Sequence, residues 1–469
     1  MIRKFYAKKD NTITNAFEEN LTTRGTGSNM GASDILETFS IYGQATSSSL
    51  EQAKILIEFD VNDISGSRDN GAIPASGSVS WYLKMYNAPH SQTVPSNFNL
   101  TVSAISSSWE EGYGIDMEHY EDLTKDGVGS NWIQARHSSS LDNGQWASEG
   151  GDFHSSPTFN AAFSTGLEDL EIDVSDLVEQ WLDGTKDNNG FGISLASAHL
   201  SETKSFFTKK FFGRDTEFHF QKPTLEARWN SSRKDDRGSF YASSSLASAS
   251  DNLNTLYLYN VIRGRLRDIP NDPTITVGLR SNASGSDLTS TTATKVSTGI
   301  YSAALSLDTS ETTLYDVWYS GSNSYRTGSI AVKSFTSYGY NPEDDYIVSM
   351  PKLKKEYRKN QTHRLNLYVR EKNWSPNIYT VAQQTSVPSL IIPSASYQLR
   401  RSIDDFVVIP YGTGSTAHTM LSYDVSGNYL NLDTTYLEAG YLYEIQYSFY
   451  DEENGWEEQP YRFKFRVVD

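Results

Sequence analysis

Residues 172–184 read IDVSDLVEQWLDG, and after a polar turn residues 189–195 read NGFGISL. The first run repeats apolar side chains at helical spacing, and the second alternates like a strand. The apolar face of the first run consists of Val174, Leu177, Val178, Trp181 and Leu182. The sequence therefore predicts one short helix set among strands, with Trp181 as a structural plug of the core.

The ends of this helix carry recognisable signals. Asp173 and Ser175 can each serve as the N-cap, because their side-chain oxygens can accept from the free N–H groups of the first turn. Gly184 is suited to the left-handed residue that follows a helix. The predicted helix spans residues 173–184.

Composition predicts an all-β protein. A chain of 469 residues is too long for one core, so about three domains are expected. Aromatic residues make up 13%, with 29 Tyr, and they accompany many Ser, Thr and Gly residues. Such a composition favours strands and turns over helices.

Charge and cysteine content limit the classes of binding partner and the compartment that we expect for this protein. The chain has 40 Lys plus Arg and 58 Asp plus Glu, giving a net charge of −18, which argues against nucleic acid as a general partner. It has no cysteine, which excludes disulfides and thiol catalysis and suggests assembly in a reducing cytosol. The sequence shows no secretory signal at its start and no run of 18 apolar residues, so we expect neither export nor a membrane span.

Seven sequence blocks in the first 230 residues follow one another in a fixed order. They are residues 29–33, 55–60, 109–112, 174–181, 188–192, 206–214 and 222–227. Together they resemble the DNRLRE family, a disaggregatase-related, carbohydrate-binding-module-like β-sandwich. Two blocks depart from the family pattern: Gly213-Arg214-Asp215 replaces Ser-Arg-Glu, and Lys222 replaces Arg. The resemblance implies a jelly-roll sandwich over residues 1–230, with glycan contact or a structural calcium, and implies no catalysis.

Two further domains follow. Residues 230–238 are polar and predict a linker. Short alternating strands with polar turns then predict immunoglobulin-like sandwiches over residues 238–340 and 346–469. The fold class we expect is all-β, with a jelly-roll-like domain carrying one short helix and then two immunoglobulin-like domains.

The last domain contains a corner motif and follows a charged segment. The pattern Leu437-x-x-Gly440-Tyr441-x-Tyr443 resembles a tyrosine corner, and Tyr441 is assigned a structural role there. Residues 341–363 are strongly charged. A solvated connector is the favoured interpretation, and a docking site for an acidic subunit is the alternative.

No catalytic motif stands out. The eight His residues show no metal-ligand spacing, and neither a phosphate-binding loop nor a nucleophile elbow is present. Trp109, Trp132 and Trp146 could stack on sugar rings, although core or interface positions are the favoured interpretation. Paired loop acids such as Glu110-Glu111 leave a polysaccharide hydrolase as a minor alternative.

A calcium site is the one cofactor hypothesis. Oxygen ligands could come from Asn29, Asp34, Asp116 and Glu118, because Ca²⁺ prefers carboxylate and amide oxygens. The sequence does not show that these four side chains converge, so both a calcium site and no cofactor stay open.

A second resemblance concerns the C-terminal region. It rests on residues 365–369, 373–376, 411–415, 421–424 and 463–467, and on the opening residues 4–6. These are similar to structural proteins of tailed marine bacteriophages. The resemblance implies a non-enzymatic virion protein of the tail, baseplate or neck, assembled in the host cytoplasm with other virion proteins and copies of itself. A capsid decoration protein or a carbohydrate-binding adhesin that contacts host-surface glycans is the alternative.

Overall fold

The structure is a computed structural model. It describes residues 1–91, 95–115, 129–137, 144–333, 345–373, 377–379, 389–414, 416–451 and 454–469. The chain forms two compact units, Ile2–Trp229 and Asn230–Asp469 together with Met1. Both are built from strands, and the protein is all-β and multidomain. Among the described residues, no helix is long and apolar enough to cross a membrane.

The first unit contains strands β1 to β11. Their bounds are Ile2–Tyr6, Lys9–Thr14, Ile35–Tyr42, Leu50–Glu58, Ser80–Met85, Phe98–Ile105, Phe153–Phe163, Leu170–Asp173, Phe191–Leu195, Phe206–Phe212 and Thr224–Arg228. Alternating burial along strands such as β3 and β5 shows that one side of each faces the core.

Two antiparallel sheets form this unit. The first has the order β1-β11-β5-β8, and the second has the order β10-β3-β4-β9-β6-β7, with β2 also paired to β4. The chain crosses between the sheets several times, because β5, β8 and β11 belong to the first sheet while their neighbours in sequence belong to the second. The result is the expected jelly-roll-like sandwich.

The prediction of one short helix in this unit is wrong, because the described residues contain three. Helices α1, α2 and α3 span Val61–Asp69, Ser175–Leu182 and Ser197–Leu200. In α1 only Ile64 and Ser67 are buried, so it has almost no apolar face to reveal it. Its start depends on the Asp60 side chain, which accepts a 3.0 Å hydrogen bond from the Asn62 N–H.

Helix α2 is the predicted helix, with a different start. Val174 occupies the N-cap position and makes no side-chain cap, so neither Asp173 nor Ser175 is the N-cap. Asp173 instead accepts from the backbone N–H of Ser175 at 2.9 Å. At the other end Gly184 has a φ of +77°, which confirms that it ends the helix.

Polar contacts of Glu179 hold the helix against strand β5 and helix α1, and the Trp181 ring packs into the apolar core beside them. The Glu179 carboxylate accepts from Trp81 Nε1 at 2.9 Å and pairs with both terminal nitrogens of Arg68 at 2.7 and 2.9 Å. Trp181 is buried, and its ring meets the Phe191 ring edge-on at 4.7 Å. This confirms Trp181 as a core residue.

The second unit begins with an immunoglobulin-like sandwich made of strands β12 to β21. Their bounds are Phe240–Tyr241, Asn254–Tyr259, Val261–Ile262, Arg265–Leu266, Thr276–Arg280, Thr289–Thr292, Thr294–Ser297, Ile300–Leu305, Thr313–Ser320 and Asn323–Lys333. A five-stranded sheet, β12-β21-β20-β16-β17, accompanies a three-stranded sheet, β13-β19-β18. Residues of both sheets share one apolar core that includes Trp318.

Strands β22 to β32 form the last region. Their bounds are Tyr346–Ser349, Glu356–Arg358, Thr362–Asn366, Tyr368–Glu371, Ala395–Arg401, Phe406–Ile409, Ser422–Asp424, Gly427–Asp433, Leu442–Asp451, Gly455–Glu458 and Phe463–Val468. The main sheet has the order β23-β32-β30-β26-β27, with β31 on β30, beside β24-β29-β28 and the pair β22-β25. As in the preceding sandwich, an early strand pairs in parallel with the last one.

Residues 230–238 begin where the first compact unit ends, as the predicted linker would, but part of this polar segment is packed against the domain surfaces. Asp235 and Arg237 are buried, and residues 236–238 form a 3₁₀ turn. The backbone runs alongside Tyr423, exchanging hydrogen bonds through Arg233 and Asp235. Polar residues are buried here because they pair with one another, which a composition argument does not detect.

The corner tyrosine is Tyr443 and not Tyr441. The Tyr443 hydroxyl accepts from the Glu438 N–H at 2.9 Å and donates to the Glu438 carbonyl at 3.0 Å. Tyr443 is fully buried, whereas Tyr441 is 37% exposed beneath the Arg401 guanidinium. Alternation along the strand places residue 443 inward, so the motif is correct and the assigned tyrosine was two positions early.

Replacing Trp181 with Ala should lower the free energy of unfolding by about 3–5 kcal/mol, because a large buried ring is lost and a cavity remains. Denaturant unfolding of the full chain measures this. Leu167→Ala is the control, since Leu167 is exposed and its truncation should change little. A loss for Trp181→Ala too small to resolve would contradict a core role.

Replacing Tyr443 with Phe should cost about 1 kcal/mol, because the partly buried N–H and carbonyl of Glu438 lose their partner while the ring is kept. Tyr441→Phe is a matched control and should be near neutral, since the ring that Arg401 covers is retained. Equal losses for both variants, measured by thermal or denaturant unfolding, would rule out this assignment.

Candidate functional site

The three tryptophans predicted as glycan contacts lie together inside the first unit. Trp109, Trp132 and Trp146 are only 3%, 5% and 5% exposed. They form one apolar cluster with Ile13, Leu56, Ile105 and Ala135. The ring atoms are therefore packed against the sandwich, and the glycan-stacking hypothesis is corrected in favour of the core interpretation.

The polar edges of two of these rings are also used internally. Trp109 Nε1 donates to the Asn189 carbonyl at 2.8 Å, and Trp146 Nε1 donates to the Asn131 carbonyl at 2.8 Å. A buried indole N–H needs such a partner. The first bond joins segments 80 residues apart in the sequence, and the second closes a loop of 15 residues.

Lysines cover ring faces in the same cluster. The Lys9 ammonium lies 4.5 Å from the centre of the Trp109 ring, and the Lys54 ammonium lies 5.3 Å from that of Trp132. A sugar would have to displace these cations to stack there. The arrangement stabilises a loop region and presents no sugar-binding platform through these three rings.

Asn29, a predicted calcium ligand, braces the same loops. It is fully buried, and its amide group donates to the carbonyls of Glu111 and Ser130 at 2.7 and 2.8 Å. Its side-chain oxygen accepts from the N–H groups of Gly31 and Gly114 at 3.2 and 2.9 Å. Both lone pairs of that oxygen are occupied, so Asn29 is corrected from a metal ligand to a structural brace.

Glycine is required beside this amide because the backbones approach closely. A Cβ at Gly114 would lie 1.9 Å from the Asn29 carbonyl oxygen, and one at Gly31 would lie 2.2 Å from that of Glu111. Either contact is far inside van der Waals distance. The sequence stretch around Asn29 therefore reflects packing of loops against each other.

The other calcium candidates do not complete a site in the described residues. Asp34 is exposed, and Asp116 and Glu118 lie outside the residues that the structure describes. Within the described ranges, no three His, Asp or Glu side chains are grouped to hold a metal ion.

A carboxylate pair that the sequence interpretation missed lies beside these loops. The fully buried Asp10 accepts from the Arg214 N–H at 2.6 Å through Oδ2. Glu111 Oε1 accepts from the Asp10 N–H at 2.8 Å and from Arg214 Nε at 3.0 Å. The second oxygen of Asp10, Oδ1, has no hydrogen-bond partner in the described part of the chain.

Burial dominates the electrostatics of this pair. It raises the pKa of Asp10 to about 7, with the neighbouring Glu111 carboxylate acting in the same direction and the Arg214 N–H and guanidinium opposing it. Burial likewise raises the pKa of Glu111. Chemically, Asp10 is a proton-binding group near neutral pH. The signal available in the sequence was an acid inside β2, a strand of largely polar residues that is nevertheless buried.

A second buried charge cluster lies on the β1-β11-β5-β8 sheet. Glu226 is fully buried, and its carboxylate lies 3.1 Å from Lys4 Nζ and 2.5 Å from Arg228 Nη2. Burial opposes ionisation, but the cations of Lys4, Lys84 and Arg228 hold the pKa of Glu226 well below its ordinary value. Burial lowers the pKa of Lys4, with Glu226 opposing that effect, and the ion pairs of the cluster join neighbouring strands.

No protein-family model and no curated protein matches the sequence. The DNRLRE and phage resemblances therefore stay predictions.

Solved structures give weak likenesses. The Yersinia pseudotuberculosis adhesin InvE shares 14% identity over 48% of this chain and 56% of its own, with a TM-score of 0.17. Escherichia coli alpha-2-macroglobulin activated by porcine elastase shares 12% identity over 46% of this chain and 19% of its own, with a TM-score of 0.17. A chimeric titin Z1Z2-Z1Z2 tandem shares 12% identity over 46% of this chain and 90% of its own, with a TM-score of 0.16. This chain thus spans about half of the adhesin and a fifth of the macroglobulin, and TM-scores this low carry no argument.

Asp10 predicts a pH effect on stability. The pKa of Asp10 is about 7 in the folded chain and 3.8 in the unfolded chain. Between these pH values the folded chain keeps a proton that the unfolded chain has released. The free energy of unfolding therefore falls as pH rises from 3.8 to 7. For this one group, the free energy of unfolding changes by up to about 1.4 kcal/mol per pH unit. Below pH 3.8 and above pH 7 its contribution is constant.

The matched variant is Asp10→Asn, which keeps an oxygen for the Arg214 N–H but cannot ionise. Unfolding measured from pH 4 to pH 8 should show the variant gaining stability relative to the wild type as pH rises. Parallel curves for the two proteins would show that Asp10 is already ionised in the native state throughout this range.

Proposed function

We propose that the chain is a non-enzymatic structural component of a tailed-phage virion, an accessory protein of the tail, baseplate or neck. It is made and assembled in the host cytoplasm, and its partners are other virion proteins and copies of itself. The observation that carries the proposal is the brace formed by residues 233–238 between the two immunoglobulin-like domains, in which Asp235 and Arg237 are buried.

One side of this brace enters the first of these domains. Arg237 pairs with Asp235 at 2.8 Å and with Asp316 at 2.6 Å, and it also donates to the Tyr257 carbonyl at 3.1 Å. The same oxygen of Asp316 accepts from Trp318 Nε1 at 2.7 Å, at the centre of the apolar core. The guanidinium is therefore fixed to the interior of that sandwich.

The other side holds the last domain. The Tyr423 hydroxyl donates to Asp236 at 2.7 Å, and the Tyr423 backbone bonds to Arg233 and Asp235 on either side. Domains in one chain move relative to each other unless their connection is large or rigid. A connection that combines buried ion pairs on one side with side-chain and backbone hydrogen bonds on the other favours a fixed arrangement, as a structural assembly protein requires.

The first unit supports the same proposal. In its loops, the tryptophan rings pack against the sandwich and the Asn29 amide bonds to neighbouring backbone, so these side chains hold the loops together. Polar side chains used in this way build a firm scaffold. The carbohydrate-binding resemblance of this unit then describes its fold and does not assign a sugar site to these residues.

Mass spectrometry of gradient-purified phage particles from a lysate that contains this chain tests the proposal. The chain should copurify with the tail or neck proteins at a fixed ratio, and immunogold labelling should place it at one position on the particle. A host cytosolic protein, depleted by the same gradient, is the control. Absence of the chain from purified particles would overturn the proposal.

A glycan array probed with the full chain separates this role from the carbohydrate-binding alternative. We expect no selective binding through the buried tryptophans. Selective glycan binding by a chain that is missing from particles would favour the adhesin.

A further inference from the structure

A short hairpin in the first immunoglobulin-like domain is available for binding. Val261–Ile262 pairs with Arg265–Leu266, and the turn residues Arg263 and Gly264 have φ values of 51° and 77°. Two successive positive φ values give the tight turn that matches strand twist. Within the described residues these two strands pair only with each other, so both outer edges of the hairpin are open.

The composition of this basic hairpin, residues 261–267, is unusual for an exposed element. Its aliphatic side chains Val261, Ile262 and Leu266 are 56%, 43% and 41% exposed. Open edges with exposed apolar residues invite pairing with another chain.

The hairpin is also positively charged, whereas the protein as a whole is negatively charged. It carries Arg263, Arg265 and Arg267 on a chain whose net charge is −18. Cross-strand pairing places Ile262 beside Arg265, with Arg267 on the same face. In the described part of the chain, none of the three guanidinium groups makes a hydrogen bond or an ion pair. They are free to meet an acidic partner.

A second exposed hairpin of opposite charge lies in the last domain. This acidic hairpin consists of residues 450–451 and 454–458, where the end of β30 pairs with β31. Tyr450 is 46% exposed, and its ring meets that of Trp456 at 5.5 Å. Strand β31 pairs only with β30 among the described residues, so its outer edge is open.

The acids of this hairpin have no cationic partner in the described ranges. Asp451 accepts only from Asn454, and Glu458 accepts from Gln446 and the Tyr411 hydroxyl. Glu457 is exposed. Within the described ranges none of these three carboxylates forms an ion pair, and the same hairpin carries the paired rings of Tyr450 and Trp456.

We propose that the basic hairpin of one copy binds the acidic hairpin of a second copy. Arginine side chains pair with carboxylates and also stack on Tyr and Trp rings, and Ile262 supplies apolar contact. The acidic hairpin matches all three features of the basic one: charge, apolar surface and an open strand edge. This inference rests on the proposed structural role in several copies.

The contact joins two different surfaces, so it is head-to-tail. Such a contact repeats from copy to copy and gives a closed ring or an open chain, not a simple two-fold dimer. A ring around a tail or neck is the closed form of this assembly.

Charge reversal of the full-length chain tests the contact. The variants are Arg265→Glu with Arg267→Glu, and Glu457→Arg with Glu458→Arg, followed by sedimentation velocity over a concentration series. Each double variant alone should self-associate about 10- to 100-fold more weakly than the wild type, because like charges then face each other. Raised salt should weaken the wild-type contact.

An equimolar mixture of the two double variants should regain association, because each altered hairpin then meets one of opposite charge. The matched control is Lys352→Glu with Lys354→Glu, which makes the same charge change on exposed lysines elsewhere in the unit and should have no effect. Unchanged melting temperatures exclude misfolding.

Three results would overturn the inference: a wild-type chain that stays monomeric, mixed variants that fail to associate, or loss of association only in the lysine control. Cosedimentation with purified particles reads out the proposed function separately. A monomeric chain that still joins particles would refute the hairpin contact alone, and an associating chain absent from particles would refute the virion role alone.

Discussion

Buried carboxylates held by buried cations are the interaction on which both units depend. Glu226 lies directly opposite Lys4 in the β1–β11 register, and Arg228 closes the cluster. A one-residue slip would leave these charges facing apolar side chains, and an unpaired buried charge costs several kcal/mol. In the second unit, Arg237 between Asp235 and Asp316 fixes the connecting segment to the first immunoglobulin-like domain in the same way. The ion pairs thus select one arrangement, while apolar burial supplies most of the driving force.

This dependence follows from composition. Only 37% of the residues are apolar, so long loops of the first unit cannot be held by apolar contact alone. The Asn29 amide makes four hydrogen bonds that connect three loop segments. The tryptophan indoles add hydrogen bonds to backbone carbonyls. Once these groups are used internally, they are not available to a ligand. The features that made the loops resemble a binding site are the features that make them rigid.

The fold was largely predictable from the sequence, and the site was not. Helical spacing found α2 and its buried Trp181, and alternation with short turns found the sandwiches. Helix α1 was missed because it relies on the Asp60 cap and buries little. Tyr441 was chosen over Tyr443 because the motif contains both, and only strand register decides which one faces inward. Burial of Asp10 could not be anticipated, since its partner Arg214 is distant in sequence and contact between them depends on the tertiary fold.

The charge balance constrains how copies can meet. At −18 each, copies repel one another at long range, but at physiological salt this repulsion decays over about 8 Å. Association is then decided by groups within that distance of the contact. When a basic hairpin meets an acidic one, the opposite charges attract at short range, where salt screens them least. The remaining acidic surfaces repel one another and oppose other orientations. The excess of acidic residues therefore limits non-specific aggregation, and the local reversal at residues 261–267 allows one selected contact.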